Sequence, residues 1–387
     1  MALPLKYNLA NVFIRWRSTS ATILGVALVV AVYVLVQALA AGLEKSSQNT
    51  GDPRNVMVVR KGSTAESSSQ VTREQFKLIP HLPQVAKDET GQPLVSADVV
   101  VLINLPRKDL VSEANVMLRG ISPLGRFLRP QVKLAAGRWF EPGKREVVVA
   151  QKLANRFANF ELGDIIKSGN KHLTVVGWID GANSAFDSEI WMDADEARSV
   201  FDRENYSSVL VRIANPAQQA AFSARIEADK RLPLTALAET SYYSNQTMAA
   251  QPIKILGNFL ATMMSIGAIF AAMNTMYASV GARTREVGTL RVLGYRRRSI
   301  LIGFLVEGTV LALIGGVIGC LLSLKLQGYS ASTVSLETFG ESVFQFRITA
   351  ALAMKGLLFS ALVGLTGSFL PALRASRLPI IDALKSL

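Results

Sequence analysis

Residues 21–43 read ATILGVALVVAVYVLVQALAAGL, a run without a single charge. As a helix rising about 1.5 Å per residue, it is long enough to cross a hydrocarbon core about 30 Å thick. Three more apolar runs follow, at about 255–279, 300–324 and 348–373. A soluble domain rarely carries one such run, so the 387-residue chain reads as a membrane protein first and as a set of domains second. Ala38-Leu39-Ala40 resembles a signal-peptide cleavage site, but the run is long for a signal sequence. Under either reading the chain leaves the cytoplasm here.

The formal net charge is +13, which invites a nucleic-acid reading. Its distribution argues otherwise. Between Glu44 and Gln251 there are about 26 Lys and Arg against about 24 Asp and Glu. Lys6, Arg15 and Arg17, then Arg283 to Arg298, then Arg374, Arg377 and Lys385 together hold about 12 basic and 2 acidic residues. Surplus charge gathered beside apolar runs is the positive-inside pattern, not a continuous basic groove. It places residues 1–18, the linker 283–298 and the C-terminus in the cytoplasm, with the polar linker Gln327 to Arg347 outside. Nucleic acid is excluded as a partner; the lipid bilayer is required.

The fold class expected is an α-helical membrane protein with four transmembrane helices, arranged one plus three, and an α+β extracytoplasmic domain between the first and second. The boundaries are a cytoplasmic segment 1–18, a first helix 19–43, the α+β domain 44–251 and a C-terminal block 252–387 with helices at about 255–281, 300–324 and 348–373. Within 44–251, strands are expected at 55–59, 97–105, 115–118, 145–150, 173–178, 189–192 and 208–213, and helices at 72–79, 151–157, 194–201 and 216–229. Residues 62–70 read as a Ser-rich loop.

Catalytic signals are missing. No Gly-rich loop ends in Gly-Lys-Ser/Thr, and Gly-x-Ser-x-Gly is absent. His81 and His172 stand far apart with no ligand spacing around them, and the lone Cys320 lies in an apolar run. Neither a catalytic centre nor a metal site is expected.

The informative segment is RTREVGTLRVLGYRRRSIL at 283–301. A solvated basic loop would satisfy the charge rule alone. It would not need Val287, Leu290 and Leu293 at helical spacing, which mark a short amphipathic helix that packs on something. Gly294 is placed to end that helix. Glu307, inside the third span, should face the bundle, pair or be protonated. Gly315, Gly316 and Gly319, with Ser360, Gly364 and Ser368, form small-residue faces suited to close helix packing.

Arg285-Glu286-Val287-Gly288-Thr289-Leu290-Arg291-Val292-Leu293-Gly294 resembles the signature of the MacB/FtsX permease family. Pro371-Ala372, Ala375, Pro379 and Ala383-Leu384 loosely match its C-terminal pattern. Leu118 to Pro123, Ala136 to Phe140, Glu146 to Ala150, Leu162 to Asp164 and Thr174 to Gly177 resemble its extracytoplasmic core. The resemblance implies an ABC transporter permease that binds no ATP itself and pairs with a separate cytoplasmic ATPase subunit. It implies an ATPase-coupling set of Arg283, Arg285, Glu286, Val287, Gly288, Leu290, Arg291, Leu293, Gly294, Arg296 and Arg297, with Glu307 as an intramembrane polar residue. It further implies a second permease chain, most simply a homodimer, a possible membrane-fusion partner, and a place in the bacterial inner membrane with both termini cytoplasmic.

Three functions are consistent with these residues. One is export or extraction of a lipid, lipoprotein, peptide or drug by mechanical work outside the membrane. The second is a non-transporting mechanotransmitter that regulates an extracytoplasmic partner such as a cell-wall hydrolase. The third is an anchored binding or sensory protein, which leaves the apolar pattern of the basic linker unexplained.

Overall fold

The computed structural model describes residues 16–109, 112–248, 251–334 and 340–379. Lys6, Arg15, Lys385 and the pair Ala383-Leu384 lie outside them. The chain opens with α1 (Trp16–Thr50), β1 (Asn55–Arg60), α2 (Arg73–Leu78), β2 (Val95–Pro106), β3 (Glu113–Ile121), β4 (Lys133–Gly137) and β5 (Glu146–Ala150). It continues through α3 (Gln151–Ala154), β6 (Ile165–Ser168), β7 (Lys171–Asp180), β8 (Glu189–Asp193), α4 (Ala194–Val200), β9 (Ser208–Arg212), α5 (Gln219–Ala228) and β10 (Leu234–Ala238). It closes with α6 (Glu239–Met248), α7 (Gln251–Ala282), α8 (Thr284–Val292), α9 (Arg297–Leu324), β11 (Ser330–Val334), β12 (Glu341–Gln345) and α10 (Ala350–Arg377). These elements form two compact units. One holds Met1–Ala41, Pro252–Tyr329 and Phe346–Leu387; the other holds Gly42–Gln251 and Ser330–Gln345.

In the helical unit, α1, α7, α9 and α10 are the four helices among the described residues long and apolar enough to cross a membrane. Hydrocarbon offers no hydrophobic gain for joining helices, so close backbone approach and internally satisfied polar groups must hold them. A methyl group on Gly308 would lie 2.5 Å from Ser368 Cβ, and one on Gly364 would lie 2.6 Å from Ala312 Cβ. Such contacts bring α9 and α10 backbone to backbone. Gly315 meets the Ile23 carbonyl and Gly319 the Ala27 carbonyl of α1 in the same way. The serines stay satisfied within their own helices: Ser360 Oγ donates to the Leu357 carbonyl at 2.8 Å and Ser368 Oγ to the Gly364 carbonyl. The expected small-residue faces are therefore packing surfaces.

The α/β unit holds a four-stranded antiparallel sheet in the order β10-β1-β9-β2, with α2 after β1 and α5 after β9. This is the split β-α-β arrangement, interrupted between its second and third strands by residues 113–193. Val56, Val58, Val209, Val211, Phe222 and Ile226 share one core; the alternate residues Met57, Val59 and Leu210 belong to a second. Burial on both faces explains why β1 reads as an unbroken apolar run. β2 switches partners along its length, pairing β9 through Val95–Asp98 and β3 through Val99–Pro106. From β3 the sheet continues as β8-β5-β7-β4, with β6 on β7.

Where the two halves of this sheet join lies a buried charge cluster. Arg119 on β3 donates to Glu66 at 2.8 Å through both terminal nitrogens and to Glu189 on β8 at 2.8 Å through Nε. Arg129 pairs with Asp98 of β2, and Ser208 Oγ of β9 donates to Glu66 at 2.5 Å. Burial pushes the Glu66 carboxyl up, but Arg119 and Ser208 more than offset this and hold it below its ordinary value. Nothing in the sequence marks these residues as partners.

Five strands and the helix α6 were not expected from sequence. β4 is an edge strand with little burial, so Lys-Leu-Ala-Ala-Gly shows no alternation. β6 is four residues long, and β10 carries two residues of low β propensity, Ala236 and Ala238, in Leu-Thr-Ala-Leu-Ala. The hairpin of β11 and β12 falls in what reads as a polar linker of the C-terminal block, and it groups with the α/β unit.

β1 begins where β10 ends, so the chain's entry to the sheet meets its exit. Glu239 Oε2 accepts the Asp52 N–H at 2.8 Å and Asn55 Nδ2 at 2.9 Å. Its Oε1 is buried and has no hydrogen-bond partner among the described residues. Burial raises this carboxyl from an ordinary 4.5 to about 7, with Arg129 opposing and Asp52 adding to the rise.

Two outcomes are expected. Arg119→Met leaves the buried carboxylates Glu66 and Glu189 without their paired cation and should destabilise the α/β unit by about 3–5 kcal/mol, read as faster hydrogen exchange in β3 and β8; unchanged protection would contradict it. Glu239 binds its proton more tightly folded than unfolded, so its contribution favours the folded state at low pH and falls away as pH rises from about 4.5 through 7. Stability of the unit should therefore drop by roughly 2–3 kcal/mol between pH 5 and pH 8, and Glu239→Gln should remove that share of the slope in thermal unfolding.

Candidate functional site

The chain leaves α7 at Arg283, whose backbone (φ −115°, ψ 14°) breaks the helix before α8 starts. Arg283 turns inward. Its Nη1 donates to Glu307 Oε2 on α9 at 2.8 Å, its Nε lies 3.5 Å from Glu286 Oε2, and its guanidinium stands 5.5 Å from the Phe304 ring centroid. Both members of the main pair are 7% exposed. Glu307 thus faces the bundle and pairs, as its position within a span requires.

α8 packs through Val287, which is 3% exposed and shares a core with Met276 and Val280 of α7, Ile300 and Phe304 of α9, and Ala372 and Ala375 of α10. The helix ends in a Schellman motif. The Tyr295 N–H donates to the Leu290 carbonyl at 3.1 Å and the Gly294 N–H to the Arg291 carbonyl at 3.2 Å. Gly294 sits at φ +89°, a left-handed conformation that favours glycine. Sequence reasoning placed this stop correctly.

The expected coupling set divides in two. Arg283, Val287 and Gly288 are buried within the unit, and Leu290 and Arg291 are half-buried. Arg285, Glu286, Leu293, Gly294, Arg296 and Arg297 are exposed. Val287, Leu290 and Leu293 do not form one stripe, because steps of three residues fall short of the 3.6-residue turn and drift about 60° each. Leu293 has rotated clear of the core and stands 67% exposed, beside Val292 at 60%. Val292 was missed; the same drift, applied to the helix, points to it.

Four helices apolar and long enough to cross a membrane, a short helix on a basic linker and a separate α/β unit make this a membrane protein that carries a folded domain between its first and second spans. Residues 19–229, more than half of the chain, match the MacB-like periplasmic core domain, and residues 258–380 match the FtsX-like permease C-terminal region. The chain belongs to this MacB/FtsX family of ABC transporter permeases. It is 28% identical over 296 residues to the uncharacterized ABC transporter permease YknZ of Bacillus subtilis, covering 70% of each chain. It is 28% identical over 297 residues to the macrolide export ATP-binding/permease protein MacB of Burkholderia thailandensis, covering 70% of this chain but 43% of that one. The chain therefore spans less than half the length of that MacB relative. Among solved structures, the extracellular domain of YknZ aligns with TM-score 0.37 at 17% identity, covering 47% of this chain and 99% of the domain. The periplasmic region of MacB from Actinobacillus actinomycetemcomitans aligns with TM-score 0.38 at 11% identity, covering 50% and 92%.

The pair Arg283–Glu307 makes a checkable claim. Glu307→Ala removes the shortest ionic contact of a buried guanidinium and should cost about 3–5 kcal/mol, while the double variant Arg283→Met/Glu307→Met should cost less than Glu307→Ala alone. Thermal unfolding of the purified full chain in detergent measures both; additive losses would contradict the pairing.

Proposed function

We propose that the chain is the permease subunit of an ATP-driven transporter in a bacterial inner membrane, with both termini in the cytoplasm and no catalytic centre of its own. A separate ATPase subunit docks on the outer face of α8 and the basic turn that follows it. The supporting observation is the division of labour within that helix. Val287 and Arg283 anchor it to the ends of α7, α9 and α10, while Val292, Leu293, Arg285 and Arg296 to Arg298 face outward. Two adjacent exposed aliphatic side chains ringed by arginines suit an apolar pocket with an acidic rim. A solvated loop would gain nothing from holding them there.

In this scheme ATP-driven movement enters through α8 and reaches the α/β unit along the membrane helices. The glycine and serine contacts between α9 and α10 leave these helices packed as solid levers. Work is done on a lipid, lipoprotein, peptide or drug outside the membrane, by a pair of permease chains. Family membership and the MacB relatives' combined ATP-binding and permease character support this reading.

The test is a purified complex with the cognate ATPase in nanodiscs. Leu293→Asp and Arg285→Glu should each reduce permease-stimulated ATP hydrolysis at least tenfold, with thermal unfolding of the permease unchanged. Stimulated hydrolysis at the parent rate in both variants would sink the docking claim.

A further inference from the structure

The segment between α9 and α10 is not a slack loop. β11 and β12 pair antiparallel from Ser330↔Gln345 to Val334↔Glu341. The pairing begins earlier: the Gly328 N–H donates to the Phe346 carbonyl and the Phe346 N–H to the Tyr329 carbonyl, each at 3.2 Å. Gln327 Oε1 also accepts the Ile348 N–H at 2.7 Å. Backbone pairing therefore runs without a break from the segments that leave α9 and enter α10 into the hairpin. A ribbon of two bonded strands resists both bending and stretching, which a single extended chain does not.

The ribbon is fastened to the α/β unit by charge and by packing. Glu341 Oε2 accepts Arg107 Nη2 at 2.8 Å, and its Oε1 lies 2.9 Å from Arg156 Nη2. Arg156 Nη2 also donates to Ser332 Oγ on the opposite leg at 2.5 Å. The Val343 N–H donates to Ser188 Oγ at 2.6 Å, and the Val343 side chain, 2% exposed, joins the larger core of the unit. The fastening is asymmetric. The Glu341 side chain is 1% exposed, whereas those of Arg107 and Arg156 are 30% and 23% exposed. Removing the arginines would strand a buried carboxylate, while the arginines could turn to water if the carboxylate left. The latch therefore holds the hairpin in place more firmly than it holds the arginines.

We propose that the hairpin of β11 and β12 is a clasp through which α9 and α10 drive the α/β unit, with Glu341 held between Arg107 and Arg156 as its catch. It gives the unit a third link besides α1 and the α6–α7 connection. The proposal rests on the reading of the chain as an ATP-driven permease, which supplies the movement to be passed on. It assigns Arg107 and Arg156 a positioning role, away from any cargo.

The experiment is hydrogen exchange on the full chain with its ATPase in nanodiscs, with and without ATP. In Arg107→Gln/Arg156→Gln the Val343 amide should exchange at least tenfold faster than in the parent, with the amides of β5 and β8 unchanged. The ATP-dependent difference in exchange within the α/β unit should fall by half or more while ATP hydrolysis continues. Glu341→Gln, which keeps the shape of the catch, should show the same changes to a smaller degree. Arg156→Cys with Ser332→Cys, bridged by a short thiol crosslinker in a Cys320→Ala background, should preserve the ATP-dependent difference. Parent-rate exchange at Val343 in the double variant overturns the clasp. So does a freed hairpin with an undiminished ATP-dependent difference. A parent complex with no ATP-dependent difference at all would contradict the proposed function instead, and the Val343 rates would still decide whether the catch holds.

Discussion

A chain that crosses hydrocarbon four times has no water there with which to satisfy its polar groups, and no hydrophobic gain from pressing its helices together. The rest of this structure follows from how that constraint is met. Glycines on α9 let α1 and α10 approach to backbone distance, and serine hydroxyls bond back within their own turns. The one carboxylate well inside a span, Glu307, is answered by Arg283. That pairing fixes the start of α8, and the buried Val287 fixes its inner face. A helix so anchored presents its remaining side chains in a constant direction, as the proposed docking requires.

The α/β unit meets a related constraint by other means. It lacks disulfides, since Cys320 is the chain's one cysteine and lies elsewhere. Its two sheet halves are joined through a shared strand, β2, and through Arg119 with its carboxylates. A buried ionic cluster of this kind adds little net stability over a well-packed apolar one, but it strongly penalises any arrangement that separates its members. It makes the two halves one body. In the proposed scheme this body is moved through its attachments, which are the chain's entry and exit beside Glu239 and the hairpin that returns from α9.

The four spans were legible because each is a local property: some twenty apolar residues in one run. The stop at Gly294 was legible because a left-handed cap has a residue signature. The direction of Glu307 was legible because a carboxylate in hydrocarbon has few options. The buried cluster was not, since Arg119 meets residues 53, 21 and 70 positions away, and its members look like any surface charges. The hairpin was hidden for the same reason: Glu341 and Arg107 are 234 positions apart. Within the coupling set, residue type was read correctly as an amphipathic helix. Its facing was not, because steps of three residues drift about 60° each and carry Leu293 off the face that Val287 buries.

In the proposed arrangement the outward face of α8 is the seat of an ATPase subunit. The most direct measurement places a photo-crosslinking amino acid at position 293 in the full chain, co-expressed with its ATPase in the native membrane, and identifies what it captures on irradiation. A covalent adduct with the ATPase chain is the expected result, absent when the same group is placed at the exposed position 90 of the α/β unit. Adducts to phospholipid alone at position 293 would contradict it.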